Sequence, residues 1–234
     1  GDNVMSSIAI ITARGGSKRI PKKNIKEFLG KPILAYSIES AIASGIFDEI
    51  MVSTDDDEIK KVALHYGAKV PFMRSKQTSD DYSTTSDVLY EVISEYSKLD
   101  LHYDAVCCIY PTAPFITSDR LIEAMDMLKK SGAYSVIPVV EYSYPPQRGF
   151  VINNDKLTYR TPEYKDFRSQ DLDKIYHDAG QFYCLDANRF METKMIVTEN
   201  TIPLILDELE VQDIDNEIDW ELAQLKYRVI HEHK

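Results

Sequence analysis

Two runs of opposite charge hold the residues best suited to chemistry. Between Arg14 and Lys23 the chain carries Arg14, Lys18, Arg19, Lys22 and Lys23, five bases in ten residues with no acid. Gly15 and Gly16 lie inside this run, where backbone N–H groups can turn toward one anion and basic side chains can add charge-assisted bonds. That combination suits a polyphosphate. The Walker pattern G-x-x-x-x-G-K-[ST] and the dinucleotide pattern G-x-G-x-x-G are both missing from it. The competing reading is a solvated basic loop. From Asp207 to Asp219, seven acids in thirteen residues stand without a base: Asp207, Glu208, Glu210, Asp213, Asp215, Glu217 and Asp219. In an extended segment Asp213 and Asp215 face the same side, so both carboxylates can reach one divalent cation. Mg²⁺ is the natural candidate, because it takes oxygen ligands and shares them with substrate phosphates. The alternative is that these acids cap the following helix, with Asp215 ahead of Glu217. The D-x-D spacing by itself leaves both open.

Residues 7–13 (SIAIITA) form a β-branched run followed by a glycine-containing loop, the pattern of a buried first strand. Pro32 opens a segment whose Leu34, Ile38, Ala41 and Ile42 share one helical face, with Gly45 to close it. Residues 49–53 read as a strand and Thr54 or Asp55 as an N-cap. Ile59, Val62, Ala63 and Tyr66 form the stripe of a helix ended by Gly67. The rhythm continues with strand 69–73, helix 85–97, strand 105–110, helix 119–130 capped by Thr117 or Ser118, and strand 135–140. Residues 141–175 interrupt it with Tyr-Pro-Pro, a hairpin turning at Asn153, Asn154 and Asp155, and a long polar stretch. Strands 179–185 and 201–206 and a helix over 217–230 complete the chain. Such alternation predicts an α/β fold, a mainly parallel sheet with helices on both faces. Its ligands belong at the strand carboxyl ends, which puts the loops after Ala13 and Tyr110 first.

The chain has 234 residues, 44% hydrophobic, with 27 Lys+Arg against 38 Asp+Glu and a net charge of −11. A chain of this size buries enough surface to fold without disulfides or structural metal. The acidic balance disfavours nucleic acid and anionic membrane as partners. The absence of a long apolar span or basic leader leads to a cytoplasmic expectation. Residues 1–4 read as a cloning remnant ahead of Met5. Cys107, Cys108 and Cys184 lack metal-ligand spacing and read as reduced core residues.

Residues 8–24, IAIITARGGSKRIPKKN, closely resemble the signature of the CMP-sialic acid synthetases, cytidylyltransferases that activate nine-carbon sugar acids. Val52-Ser-Thr-Asp55, Tyr110-Pro-Thr-Ala-Pro114 and Asp213-Ile-Asp215 follow in that family's order. The resemblance spans essentially the whole chain and implies one cytidylyltransferase domain over 6–234. The implied fold is a three-layer αβα sandwich of the nucleotide-diphospho-sugar transferase kind, with 141–175 as a β-hairpin excursion for dimerisation and substrate covering. Within the family, residues 176–183 (YHDAGQFY) look most like the members acting on pseudaminic acid, where sialic acid enzymes tend to carry Arg-Pro-Asn-Gly.

The resemblance further implies CTP binding by Ala13, Arg14, Gly15, Gly16, Ser17, Lys18, Lys23, Asn24, Arg74 and Thr84. It implies sugar contacts from Tyr110, Arg168, His177, Asp178, Gln181 and Tyr183, and metal at Asp213 and Asp215. Arg168 matches a family position that reaches the neighbouring subunit's site, which implies a homodimer. Tyr144, Tyr159 and Tyr164 suit such an interface. Thr84, Thr85 and Ser86 serve equally as helix caps. Asp55, Asp56 and Asp57 read as first-turn acids and His65 and His102 as structural or surface residues. The implied reaction is attack of the sugar's anomeric hydroxyl on the α-phosphate of CTP, with Mg²⁺ and release of pyrophosphate. Arg14, Lys23 and Asp215 are the expected catalytic residues. N-acetylneuraminic acid and legionaminic acid are alternative substrates, and a catalytically silent nucleotide-binding module is the reading from another class.

Overall fold

The computed structural model describes residues 4–81 and 83–232. In chain order the elements are β1 (Ser7–Thr12), β2 (Glu27–Phe28), β3 (Lys31–Pro32), α1 (Ile33–Ser44), β4 (Glu49–Ser53), α2 (Asp57–His65), α3 (Thr85–Lys98) and β5 (Ala105–Ile109). They continue with α4 (Ser118–Ser131), β6 (Ser135–Glu141), β7 (Phe150–Asn153), β8 (Lys156–Tyr159), β9 (Tyr176–Asp178), β10 (Phe182–Asp186), α5 (Ala187–Thr193), β11 (Thr201–Ile205) and α6 (Glu217–Glu232).

The main sheet runs β11-β6-β10-β5-β1-β4, with β9 alongside β6. Strand β1 pairs in parallel with β4 and β5, and β11 with β6. Strand β10 runs antiparallel between β5 and β6, and β9 antiparallel to β6. Alternate residues of β1 serve opposite faces, as the period of two requires. Ala9 and Ile11 join Leu34, Ile38, Ile59, Leu121 and Ala124, so α1, α2 and α4 cover one side. Ile8 and Ile10 join Val88, Leu89, Tyr96 and Phe190, so α3 and α5 cover the other. The sheet is therefore buried on both faces, which explains its unbroken apolar strands.

A third cluster sits off the sheet and positions the chemistry. Ile20 from the basic run, Phe28, Tyr36, Phe115, Trp220 and Ile214 from between the two aspartates are all buried together. Phe28 packs edge-on against Tyr36 at 5.4 Å, Trp220 at 5.7 Å and Tyr227 at 5.8 Å between ring centroids. Turning Ile214 into this cluster sends the flanking Asp213 and Asp215 the other way.

Several expected elements differ. Residues 69–73 form no strand; Lys69 alone bridges Met51, because Pro71 supplies no ladder N–H. Asp56, rather than Thr54 or Asp55, caps α2, accepting from Glu58 N and Ile59 N. The expected strand 179–185 begins at Phe182, after a turn in which Gly180 has φ 66°; β9 precedes that turn. Helix α5 carries too short an apolar stripe to read from periodicity. The caps of α3 and α4 are Thr84 and Thr117. At α6 the capping falls to Asn216 and Asp219. Asn216 Oδ1 accepts from Asp219 N at 2.9 Å and Asp219 Oδ2 from Asp215 N at 2.9 Å, so the Asp215 carboxylate is free of that duty. The three cysteines are buried and unbridged, and burial pushes the Cys108 thiol up to about 12. The β7–β8 hairpin turns at Asn154 and Asp155, with φ 50° and 60°, the double left-handed conformation of a type I′ turn.

Phe28→Ala is expected to lower stability by about 3–5 kcal/mol, as for large buried aromatics, measured from urea unfolding. Val229→Ala on the exposed side of α6 is expected to stay within about 0.5 kcal/mol.

Candidate active site

A cavity of about 510 Å³ opens at the carboxyl ends of β1 and β5, the edge where α/β sheets take ligands. Arg14, Ser17, Lys18, Arg19, Lys23 and Asn24 form one wall. Arg74, Asp81, Ser83, Thr84 and Thr85 form another, and Tyr110, Thr112 and Asp215 line the rest. Lys22, at φ 52° and ψ 36°, turns the chain so that Lys23 and Asn24 enter the wall, while its own amine goes to Glu58 at 3.0 Å. Asn24 Nδ2 donates to the Arg14 carbonyl at 2.8 Å and closes the loop upon itself. Arg14 Nη1 meets Asp81 Oδ1 at 2.5 Å and Lys18 Nζ meets Asp81 Oδ2 at 2.6 Å; these two cations hold the Asp81 carboxyl down at about 2.

Ala13, Gly15 and Gly16 are not among the residues lining the cavity. The Gly15 N–H donates to Asp55 Oδ1 at 2.8 Å, so this amide serves the loop and not an inward nest. A Cβ on Gly15 would come within 2.9 Å of Asp56 Cβ, which makes glycine a packing requirement there.

On the acidic side, Arg19 Nη2 approaches Asp215 Oδ1 at 3.7 Å. Loss of surrounding water, together with the hydrogen-bonded Asp215 carboxylate beside it, pushes the Asp213 carboxyl up. Burial lowers the Lys23 ammonium, against the pull of Asp215 and Asp213. The two aspartates thus form a like-charge pair, of which Asp215 lies near Arg19 of the basic loop. Asp215 lines the cavity and Asp213 is not among its lining residues.

Arg74 is a buried residue of the cavity wall. Its Nε donates to Ser53 Oγ at 3.1 Å and its Nη2 to Ser53 O at 2.9 Å. Thr84 Oγ1 accepts from Asp87 N at 3.1 Å in a reciprocal capping box, and the residue also lines the cavity. Of the residues expected to contact sugar, Tyr110 lines the cavity and the other five are not among its lining residues. The Tyr110 and Tyr183 hydroxyls meet at 2.8 Å and Tyr183 donates to Asp178 Oδ2 at 2.5 Å, a chain that starts from the cavity-lining Tyr110. His177 packs its ring on Tyr142 at 5.0 Å. Gln181 is buried and donates to the Glu210 carbonyl, which ties the acidic segment to β10. Arg168 pairs with Asp171 at 2.9 Å on the exposed excursion.

Sequence reasoning missed several wall residues. Arg19 was visible in the basic run, and Ser83 and Thr85 flank the Thr84 cap. Asp81, between helix-free polar residues, gave no signal.

A sheet of this order with a cationic loop at its carboxyl edge is an α/β fold with a site suited to phosphates. The chain belongs to the cytidylyltransferase family, whose profile matches residues 8–227. It is 45% identical over 230 residues to pseudaminic acid cytidylyltransferase of Campylobacter jejuni, covering 97% of this chain and 99% of that one. It is 35% identical to CMP-N,N'-diacetyllegionaminic acid synthase of Legionella pneumophila, over 94% and 95% of the two chains. Among solved structures it shares its fold with CMP:2-keto-3-deoxy-manno-octonic acid synthetase complexed with CTP. The TM-score is 0.67 at 17% identity, covering 97% and 99% of the chains.

Glu91 on α3 anchors the turn over residues 75–78, whose Thr78 carbonyl accepts from Arg74 Nη1 at 3.4 Å. The Glu91 carboxylate accepts from Ser75 N at 2.8 Å, Ser75 Oγ at 2.9 Å and Thr78 Oγ1. Partial burial pushes its carboxyl up, but these bonds outweigh it and hold the pKa below the usual value. A depressed folded pKa means stabilisation that is present above the unfolded value near ~4.3 and lost as pH falls through the folded one. Glu91→Gln is therefore expected to cost about 1–3 kcal/mol at pH 7. The difference from wild type should shrink steadily below about pH 4 in thermal unfolding across pH.

Proposed function

We propose that this protein transfers CMP from CTP to the anomeric hydroxyl of a nine-carbon sugar acid, releasing pyrophosphate. Pseudaminic acid is the first-choice substrate. The observation that carries the reading is the convergence of the Arg14–Lys23 loop and Asp215 on one cavity. The 45% identity to a pseudaminic acid enzyme and the Tyr176–Tyr183 stretch support the choice of sugar.

Arg14, Lys18 and Lys23 would hold the triphosphate, with Ser17 and Asn24 completing the cradle. Arg14 and Lys23 would oppose the charge that grows on the departing pyrophosphate, in the manner of a fixed electrostatic cradle. Arg74 and Thr84, which line the same cavity, would contact the nucleoside. Tyr110, His177, Asp178, Gln181 and Tyr183 would orient or support the sugar side, which aligns its hydroxyl with the α-phosphorus.

The donor set at Asp213 and Asp215 fits a divalent cation. Two carboxylate oxygen ligands stand close enough to repel, and a shared cation relieves that repulsion. Among the described residues no cluster of three or more His, Cys, Asp or Glu forms a cage, so the pair would share the ion with substrate oxygens, a habit of Mg²⁺. Bound there, Mg²⁺ would neutralise phosphate charge and make a neighbouring hydroxyl more acidic. Asp215, on the cavity wall, is the residue we assign to direct participation.

The excursion over 141–175 displays Phe150, Ile152 and Leu157 on its hairpin to solvent. An apolar surface of this kind suits a second copy of the chain, with Arg168 reaching toward that copy's cavity. Among the described residues no helix is long and apolar enough to cross a membrane. We assign the reaction to the cytoplasm, where CTP is available.

Pyrophosphate release with Mg²⁺ is expected from CTP and pseudaminic acid, and not from ATP, GTP or UTP. Release with legionaminic or N-acetylneuraminic acid instead would keep the chemistry and change the sugar. No release with any pair would favour a silent nucleotide-binding module. Arg14→Ala and Asp215→Ala are each expected to lose about 10²–10³ in turnover while keeping the wild-type melting profile. Chelation should abolish release and added Mg²⁺ restore it.

A further inference from the structure

The cationic loop already grips an anion supplied by the chain itself. Asp81, on the segment between the Lys76–Thr78 turn and α3, gives one oxygen to Arg14 at 2.5 Å and the other to Lys18 at 2.6 Å. One carboxylate thus bridges two cations through two different oxygens, the arrangement that two oxygens of a single phosphate would take. All three residues line the cavity. Bonds on either side present Asp81 there: Ser79 Oγ donates to Ser75 O at 2.5 Å, and Ser83 N donates to Asp80 Oδ1 at 2.8 Å. Thr84 then fastens the segment to α3 through its capping box.

We infer that Asp81 is a built-in competitor for the polyphosphate, setting how tightly CTP is gripped and how readily pyrophosphate leaves. The inference rests on reading the cradle as the triphosphate site. A phosphate oxygen reaching Arg14 Nη1 or Lys18 Nζ must displace the carboxylate or share the N–H groups with it. The side chains of Arg14, Lys18 and Asp81 are 39%, 82% and 41% exposed, so the pairs are open to water and salt and individually weak. A triphosphate carries several charges against one, so it wins the contest and displaces the carboxylate. The contest still lowers its apparent affinity by the fraction of time the cations are occupied. The same holds in reverse: when pyrophosphate sits on these cations, recapture by Asp81 favours its departure. Asp81 touches no reacting atom in this account and is a positioning residue. Its removal should change ligand grip rather than create or abolish the chemistry.

Asp81→Asn keeps the shape and removes the charge. Inorganic pyrophosphate and CTP are titrated separately by calorimetry into wild type and variant at low and high salt. The variant is expected to bind both about three- to thirtyfold more tightly at low salt, the scale of two exposed ion pairs. The gain should shrink at high salt, because exposed pairs are screened. Pyrophosphate should also become a stronger product inhibitor. Asp81→Glu, which retains the charge, should remain close to wild type; a purely structural role would not produce this charge and salt dependence. Equal binding would mean that Asp81 leaves the phosphates alone, and weaker binding that it helps to hold them; either overturns the inference. Wild type that binds pyrophosphate yet releases none from CTP would refute cytidylyl transfer alone, and the titration would still decide the role of Asp81.

Discussion

Like charges resist being gathered, and this site depends on the apolar cluster that gathers them. Ile20 interrupts the basic run and Ile214 separates the two aspartates, and both are buried with Phe28 and Trp220. Arg19 precedes Ile20, and Asp213 and Asp215 flank Ile214; these charges cannot follow the isoleucines inward, so burying Ile20 and Ile214 turns the charges toward solvent and the cavity. The basic and acidic segments lie about two hundred residues apart in sequence. Their meeting across one cavity is a consequence of hydrophobic burial, with electrostatic attraction adding to it once they are close.

Around that constraint, hydrogen bonds divide the work of holding the walls. Asn24 closes the basic loop on the Arg14 carbonyl, and Asp55 takes the Gly15 amide. Arg74 is fastened to Ser53, Glu91 holds the turn over residues 75–78, and Gln181 ties the acidic segment to β10. The side chains that face the cavity from the basic loop are left comparatively exposed. Rigid backbone with accessible cations is what a site needs if it must bind a highly charged substrate and then release a highly charged product.

Much of this was legible in the sequence because local periodicity and chemistry agreed. Strand β1 and helix α1 followed from a β-branched run and a Pro-to-Gly helical stripe, and the hairpin from its Asn-Asn-Asp turn. The basic loop declared itself by composition. Other features depend on tertiary partners that no local pattern encodes. The reversed direction of β10 is set by its neighbours β5 and β6. Pro71 stopped a strand that the β-branched and apolar neighbours suggested. Gly15 reads as a nest glycine in sequence, whereas in the fold it makes room for Asp56. Asp81 is an ordinary loop acid until folding brings it to Arg14 and Lys18.

If a sugar hydroxyl attacks the α-phosphorus of CTP in this cavity, the hydroxyl oxygen must end in the new bond. The most direct measurement uses pseudaminic acid carrying ¹⁸O at the anomeric hydroxyl, with Mg²⁺ and CTP, followed by ³¹P NMR and mass spectrometry of the products. The label is expected to stay in the oxygen bridging sugar and phosphorus of the CMP-sugar, with unlabelled pyrophosphate. Label in the pyrophosphate, or a CMP-sugar whose bridging oxygen is unlabelled, would contradict that attack.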